Sequence, residues 1–170
     1  MQSPLLLEYM RTGAISPLKK TDTKREVEAK LGTPEDWIGR IVCFNWSGAL
    51  LADFHDSWAW QYGSLCVSFS HPGLPKGYGP PGISLSYGMG GEPIVFPPPF
   101  EELPQRPFTL GELIELLQLN HIQFNDNRGD RPGQKPVIVS EGAVGVATLH
   151  CKRSPNAEVI YLYPDEYTCA

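Results

Sequence analysis

SLCVSFS, residues 64–70, decides the fold. Leu65, Val67 and Phe69 alternate with Ser64, Cys66, Ser68 and Ser70. This period of two gives a strand one apolar face and one small polar face. The pattern returns in ISLSY, where Ile83, Leu85 and Tyr87 alternate with Ser84 and Ser86. The two segments predict antiparallel neighbours joined by a long, proline-stiffened loop, HPGLPKGYGPPG (71–82). Upstream, RIVCFNW (40–46) is rich in strand formers. Trp58, Trp60 and Tyr62 also alternate, so on a strand they share a face. The expectation is a core packed against the helix that carries Val27 and Leu31. The alternative is an exposed aromatic platform for a partner.

Helix signals flank these strands. Pro4 suits a first turn and Gly13 a stop, predicting a helix over 4–12 with Leu5, Leu6, Tyr9 and Met10 on its apolar face. Thr23 and Glu26 fit a capping box, and Gly32 before Thr33-Pro34 ends that helix. Thr109 and Glu112 repeat the box, with Phe108 and Leu113 placed as a hydrophobic staple and an end near Asn120. A loop is expected over FNDNRGDRPGQKP (124–136), then strands at 137–140, 143–149 and 158–163. The stretch GMGGEPIVFPPPFEELPQRP (88–107) reads as a connector whose run 97–99 favours polyproline II.

These readings predict an α+β fold, an antiparallel sheet with helices on one face. The chain is read as one compact domain, 1–170, with possible pseudo-halves 1–91 and 108–170 joined by the Gly/Pro-rich connector. An offset of 86 residues carries Thr23 to Thr109, Glu26 to Glu112, Val27 to Leu113 and Leu31 to Leu117. That match fits either an old duplication or two uses of one helix-start signal.

Charge is unevenly spread. The net charge is −5; residues 1–91 carry eight Lys/Arg against eight Asp/Glu, and 92–170 carry six against eleven. Glu92, Glu101, Glu102, Glu112 and Glu115 face one nearby cation in sequence, Arg106. Such a surface repels a phosphate backbone, so nucleic acid is not the expected partner. It attracts a basic protein, or it serves only as a solvated face. The opening MQSPLLLEYMRTG lacks the basic n-region and apolar core of a signal peptide, and no apolar run is long enough to span a bilayer. A cytoplasmic chain is therefore expected, with Cys43, Cys66, Cys151 and Cys169 as reduced thiols and no membrane partner.

Few residues cluster as chemistry requires. The densest polar group is ADFHDSW (52–58), where Asp53, His55 and Asp56 could hold a divalent metal or act as base and orienter. Their spacing fits no established ligand pattern, and the competing reading is a polar turn. A hydrolase or metal-dependent enzyme on these residues is kept as an alternative. No G-x-S-x-G, P-loop or dinucleotide fingerprint occurs, and GMGG (88–91) lacks the strand-to-helix context of such loops. No cofactor and no catalytic residue are expected. The RGD at 128–130 reads as a turn.

LGTPEDW (31–37) followed by WQYGSLCVSF (60–69) resembles the immunity-type proteins of bacterial polymorphic toxin systems. Leu31, Gly32, Pro34, Trp37, Trp60, Tyr62, Gly63, Leu65 and Phe69 carry the resemblance, which covers residues 23–87. It implies a non-enzymatic protein that binds and blocks a cognate toxin. It implies no interface residues. The acidic and aromatic positions Glu101, Glu102, Tyr78 and Trp58 are the candidate partner contacts, read from surface chemistry alone. A scaffold module recruiting a peptide-binding domain through 97–99 is the remaining alternative.

Overall fold

The structure is a computed structural model. It describes residues 2–38, 41–44, 50–54, 59–69, 82–88, 93–127, 138–140, 144–147 and 155–164. Three helices form where the caps predict them. Helix α1 (Pro4–Thr12) starts at Ser3, whose hydroxyl accepts from the Leu6 amide at 3.3 Å, and ends at Gly13 in the left-handed region. The Gly13 amide donates to Tyr9 O at 2.7 Å, closing the last turn. Helix α2 (Lys24–Leu31) carries both halves of the Thr23–Glu26 capping box. Helix α3 (Leu110–Leu119) carries both halves of the Thr109–Glu112 box and ends at Asn120. In each box two amides that the helix cannot satisfy find side-chain acceptors.

Ten strands follow the alternation. They are β1 (Asp36–Ile38), β2 (Ile41–Phe44), β3 (Leu50–Phe54), β4 (Ala59–Tyr62), β5 (Leu65–Ser68), β6 (Gly82–Ser86), β7 (Phe124–Asp126), β8 (Ile138–Ser140), β9 (Val144–Ala147) and β10 (Tyr161–Pro164). Eight of them make one sheet in the order β1-β4-β5-β6-β10-β9-β8-β7, while β2 and β3 form a separate hairpin. Every pairing is antiparallel. The expected β5–β6 neighbours pair with Leu65 opposite Leu85 and Val67 opposite Ile83. Two expectations are corrected. Residues 124–126, read as the start of a loop, form edge strand β7 against β8. The strand expected from 158 begins at Tyr161. Residues 155–160 instead hold the start of α3: the Leu110 amide donates to Ala157 O, Gly111 to Pro155 O, and Val159 to Phe108 O.

The register assigns the faces. Tyr62, Leu65, Val67, Ile83, Leu85, Leu162 and Ile138 fall on one side, and all are buried. Gln61, Cys66, Ser84, Ser86 and Tyr161 fall on the other, where burial is partial or absent. The apolar face shares one core with Leu6, Tyr9 and Met10 of α1, Val27 of α2, and Leu110, Leu113, Ile114, Leu116 and Leu117 of α3. Polar bonds fix the helix-to-sheet fit. The Tyr9 hydroxyl donates to Ile83 O, and the Ser140 hydroxyl donates to Met10 O. Of the three alternating aromatics, Tyr62 is buried in this core and Trp60 packs, partly buried, against it, while Trp58 lies outside the described residues: Trp60 is edge-on to Phe69, with ring centroids 5.0 Å apart, and the Tyr62 hydroxyl donates to Gly32 O at 2.9 Å.

The two halves contribute four strands each to the sheet, in mirrored order. The helix offset of 86 does not hold through the strands. There the offset is 79, taking Val67 to Val146 and Ile83 to Leu162. Val146 and Leu162 face each other in the β9–β10 ladder as Val67 and Ile83 do in β5–β6.

Candidate functional site

The segments LGTPEDW (31–37) and WQYGSL (60–65) meet at the β4–β5 turn. Gly63 takes a positive φ of 59°, which a residue with a β-carbon adopts only at a cost. Its amide donates to Glu35 Oε2 at 3.1 Å, and the Glu35 amide donates to Gln61 O at 3.0 Å. Gln61 Nε2 donates to Gly63 O at 2.8 Å. LGTPEDW is therefore stitched to WQYGSL through Gly32–Tyr62, Glu35–Gly63 and the β1–β4 ladder. A helix end and a strand turn are thereby locked together.

The same turn anchors the connector. The Ser64 amide donates to Val95 O at 2.7 Å, and the Val95 amide donates to Ser64 Oγ at 2.9 Å. Beside this clasp lies a depression of about 360 Å³, lined by Glu35 and Gln61, the turn residues Gly63 and Ser64, Ser86 and Gly88 after β6, and Pro93 and Val95. Val95 is 52% exposed. The sequence reading missed this depression. The signal available for it was Glu35 in PED and Gly63 in WQYGSL, two loop positions brought together only by the register of β1 on β4.

Beyond Val95 the connector is held by its aromatics. Phe96, Phe100, Leu103 and Phe108 are buried in the common core. Tyr87 lies between two of these rings, 4.6 Å from Phe108 and 5.5 Å from Phe96, centroid to centroid. The expected polyproline II run does not form. The Phe100 amide donates to Pro97 O at 2.8 Å and the Leu103 amide to Phe100 O at 3.1 Å, so the chain makes two successive turns. These turns accompany the burial of Phe100 and Leu103 in the core. Pro98, Pro99, Glu101 and Glu102 are left exposed on the outside.

Charge is partly neutralised nearby. Arg106 pairs with Glu112 at 2.9 Å, and Glu112 also serves the α3 cap. The Arg106 hydrogen bond and the Thr109 amide hold the Glu112 carboxyl below its usual range. Glu101 and Glu102 make no hydrogen bond or ion pair among the described residues, and Glu115 is exposed. On the small polar face, burial pushes the Cys66 thiol up, opposed by a hydrogen bond with Ser68.

Of the candidate contacts, Glu101 and Glu102 lie together on the connector. Tyr78 and Trp58 lie outside the described residues. So do His55, Asp56 and the RGD at 128–130, while Asp53 sits on β3 opposite Val42. Among the described residues no three His, Cys, Asp or Glu side chains converge as metal ligands. No helix of the described residues is long and apolar enough to cross a membrane. Comparison with protein-family models, with curated proteins and with solved structures found no match.

Proposed function

We propose that this chain is a non-enzymatic, cytoplasmic protein-binding protein, an immunity-like inhibitor that occludes a basic toxin domain. One observation carries the reading. Buried Phe96, Phe100 and Leu103 hold the connector in a fixed path that displays Val95, Pro98, Pro99, Glu101 and Glu102 to solvent. A loop ordered before binding loses little conformational entropy on association. Adjacent carboxylates without internal partners steer a cationic surface and disfavour nucleic acid.

The test is co-expression with the polypeptide encoded beside this chain. The expected result is that the neighbour is a basic toxin domain, that this chain abolishes its lethality, and that the two form a complex. Its affinity should fall between low and physiological salt, chiefly through a slower on-rate. A neighbour that forms no complex with this chain, or a complex indifferent to salt, sinks the reading.

A further inference from the structure

We infer that the β2–β3 hairpin is an arm that inserts into an apolar cleft of the bound protein; this rests on the protein-binding reading and deepens it. The register sets the place of the arm. Ile38 pairs with Ala59 at the end of the β1–β4 ladder, and Ile41 pairs with Phe54 at the start of β2–β3. The two ladders therefore belong to one long hairpin. The other neighbour of β4 stops at this level, with Ser68 of β5 opposite Ala59. Past it, β2 and β3 pair only with each other among the described residues. The sheet does not need this excursion. The matching connection of the second half, NRGDRPGQKPV (127–137) between β7 and β8, is shorter and nearly without apolar residues.

Composition sets its chemistry. β2 reads IVCF and β3 reads LLADF, so eight of nine residues are apolar and Asp53 is the one charge. Alternation puts Ile41 and Cys43 on one face and Val42 and Phe44 on the other, so neither face is polar. A two-stranded hairpin is marginal in water by itself, and an apolar one needs cover. The sheet offers little. Its apolar face is taken by the three helices, and the opposite face presents Gln61, Cys66, Ser68, Ser84 and Ser86, which give an apolar arm no complement. Magnitudes choose the occupant. Full burial removes about 60–120 Å² of apolar surface per residue of this kind, so the arm covered on both faces supplies roughly 500–1,000 Å². A stable complex needs about 800 Å² per partner. A second copy laid against one face reaches about half the arm's total and falls short; a cleft that encloses both faces suffices. The acidic connector is clasped at Ser64, about 13 Å along β5 from Ser68. One small domain, with a radius of gyration of about 13 Å, reaches both. The carboxylates then steer the encounter and the arm supplies the apolar centre of the interface.

The test uses the full chain, two point variants and an arm-less chain in which Asn-Gly replaces 39–58, joining the paired Ile38 and Ala59 through a two-residue turn. The probe is the basic polypeptide encoded beside this chain, titrated calorimetrically. The expected result is that the arm-less chain keeps its thermal midpoint and loses the complex. Val42→Asn and Phe54→Asn, on opposite faces, should each weaken the complex about tenfold or more at an unchanged midpoint. Undiminished binding by the arm-less chain, or weakening by only one of the two point variants, overturns the insertion and leaves the protein-binding reading standing. Midpoints that fall in all three variants place the hairpin in the chain's own core and overturn it as well. Should the arm-less chain alone fail to fold, the two point variants decide. If the intact chain binds no neighbour, the reading falls and 1-anilinonaphthalene-8-sulfonate decides the arm: a fluorescence gain with the intact chain that the arm-less chain lacks keeps an apolar docking arm, and no such difference overturns it.

Discussion

The carbonyl oxygen of Val95 stands so close to Gly63 that a β-carbon at residue 63 would collide with it. The contact is backbone on backbone, so no side chain can swing away, and it coincides with a left-handed φ. Gly63→Ala is expected to cost about 3 kcal/mol, combining backbone strain with loss of the Ser64–Val95 clasp. Urea denaturation reads the loss, and faster hydrogen exchange at the Ser64 and Val95 amides locates it. An unchanged midpoint would mean the connector is not fastened at this turn.

Two buried tyrosines should respond in opposite directions to losing a hydroxyl. Tyr9 donates to Ile83 O, so Tyr9→Phe leaves a buried carbonyl short of a partner and should destabilise by about 1–3 kcal/mol. The Tyr87 hydroxyl is buried with no hydrogen-bond partner among the described residues. Tyr87→Phe removes that burden and keeps the ring contacts with Phe96 and Phe108, so stability should be unchanged or raised by up to about 1 kcal/mol. Thermal unfolding of the two variants side by side decides between these signs.

Acid should weaken the fold through its helix caps. The Thr23 amide and hydroxyl lower the Glu26 carboxyl, and Arg106 with Thr109 lowers Glu112. At Asp22 burial pushes upward, but hydrogen bonds from Lys30 and the Lys19 amide outweigh it and the net shift is down. A carboxyl lowered on folding stabilises above its unfolded pKa, and that contribution is lost as pH falls through the folded value. The urea midpoint should therefore hold near neutrality and decline below a pH of about 4.5, where unfolded carboxylates begin to protonate. Glu112→Gln should lower the neutral-pH midpoint and flatten the acid limb. A midpoint that rises on acidification would contradict this sign.

Anchoring and display should separate on the connector. Phe100→Ala removes a fully buried ring and is expected to cost about 3–5 kcal/mol. Glu101→Gln/Glu102→Gln touches only exposed groups and should change stability by less than about 0.5 kcal/mol. The same pair should slow association with a basic partner and reduce its salt dependence, read by stopped-flow mixing. Slower dissociation with an unchanged on-rate would place the carboxylates outside the encounter surface.

Local signals in the chain were legible, and long-range ones were not. Capping boxes and period-two alternation act within a few residues, so α2, α3, β5 and β6 could be read directly, as could the α+β class. The path of 93–107 could not, because burial of Phe100 and Leu103 in a core built from distant elements overrides the extended preference of three prolines. β7 was hidden because Phe124-Asn-Asp is short and polar; its strand geometry comes from lying against β8. For the site, Glu101 and Glu102 were visible as unbalanced charge. Glu35, Gln61 and Val95 were not, since their proximity depends on the β1–β4 register and on a single turn.

Along the sheet, most neighbouring strands are also near in sequence; the principal exception is the seam where β6 meets β10. The entropy of closing a long loop therefore concentrates in one ladder, where Leu85 lies opposite Leu162 and Ser86 opposite Tyr161. A chain arranged this way has two fast local meanders and one slow, late zipper between them. Pulse-labelled exchange should accordingly protect β4–β5 and β8–β9 before the amides of the seam.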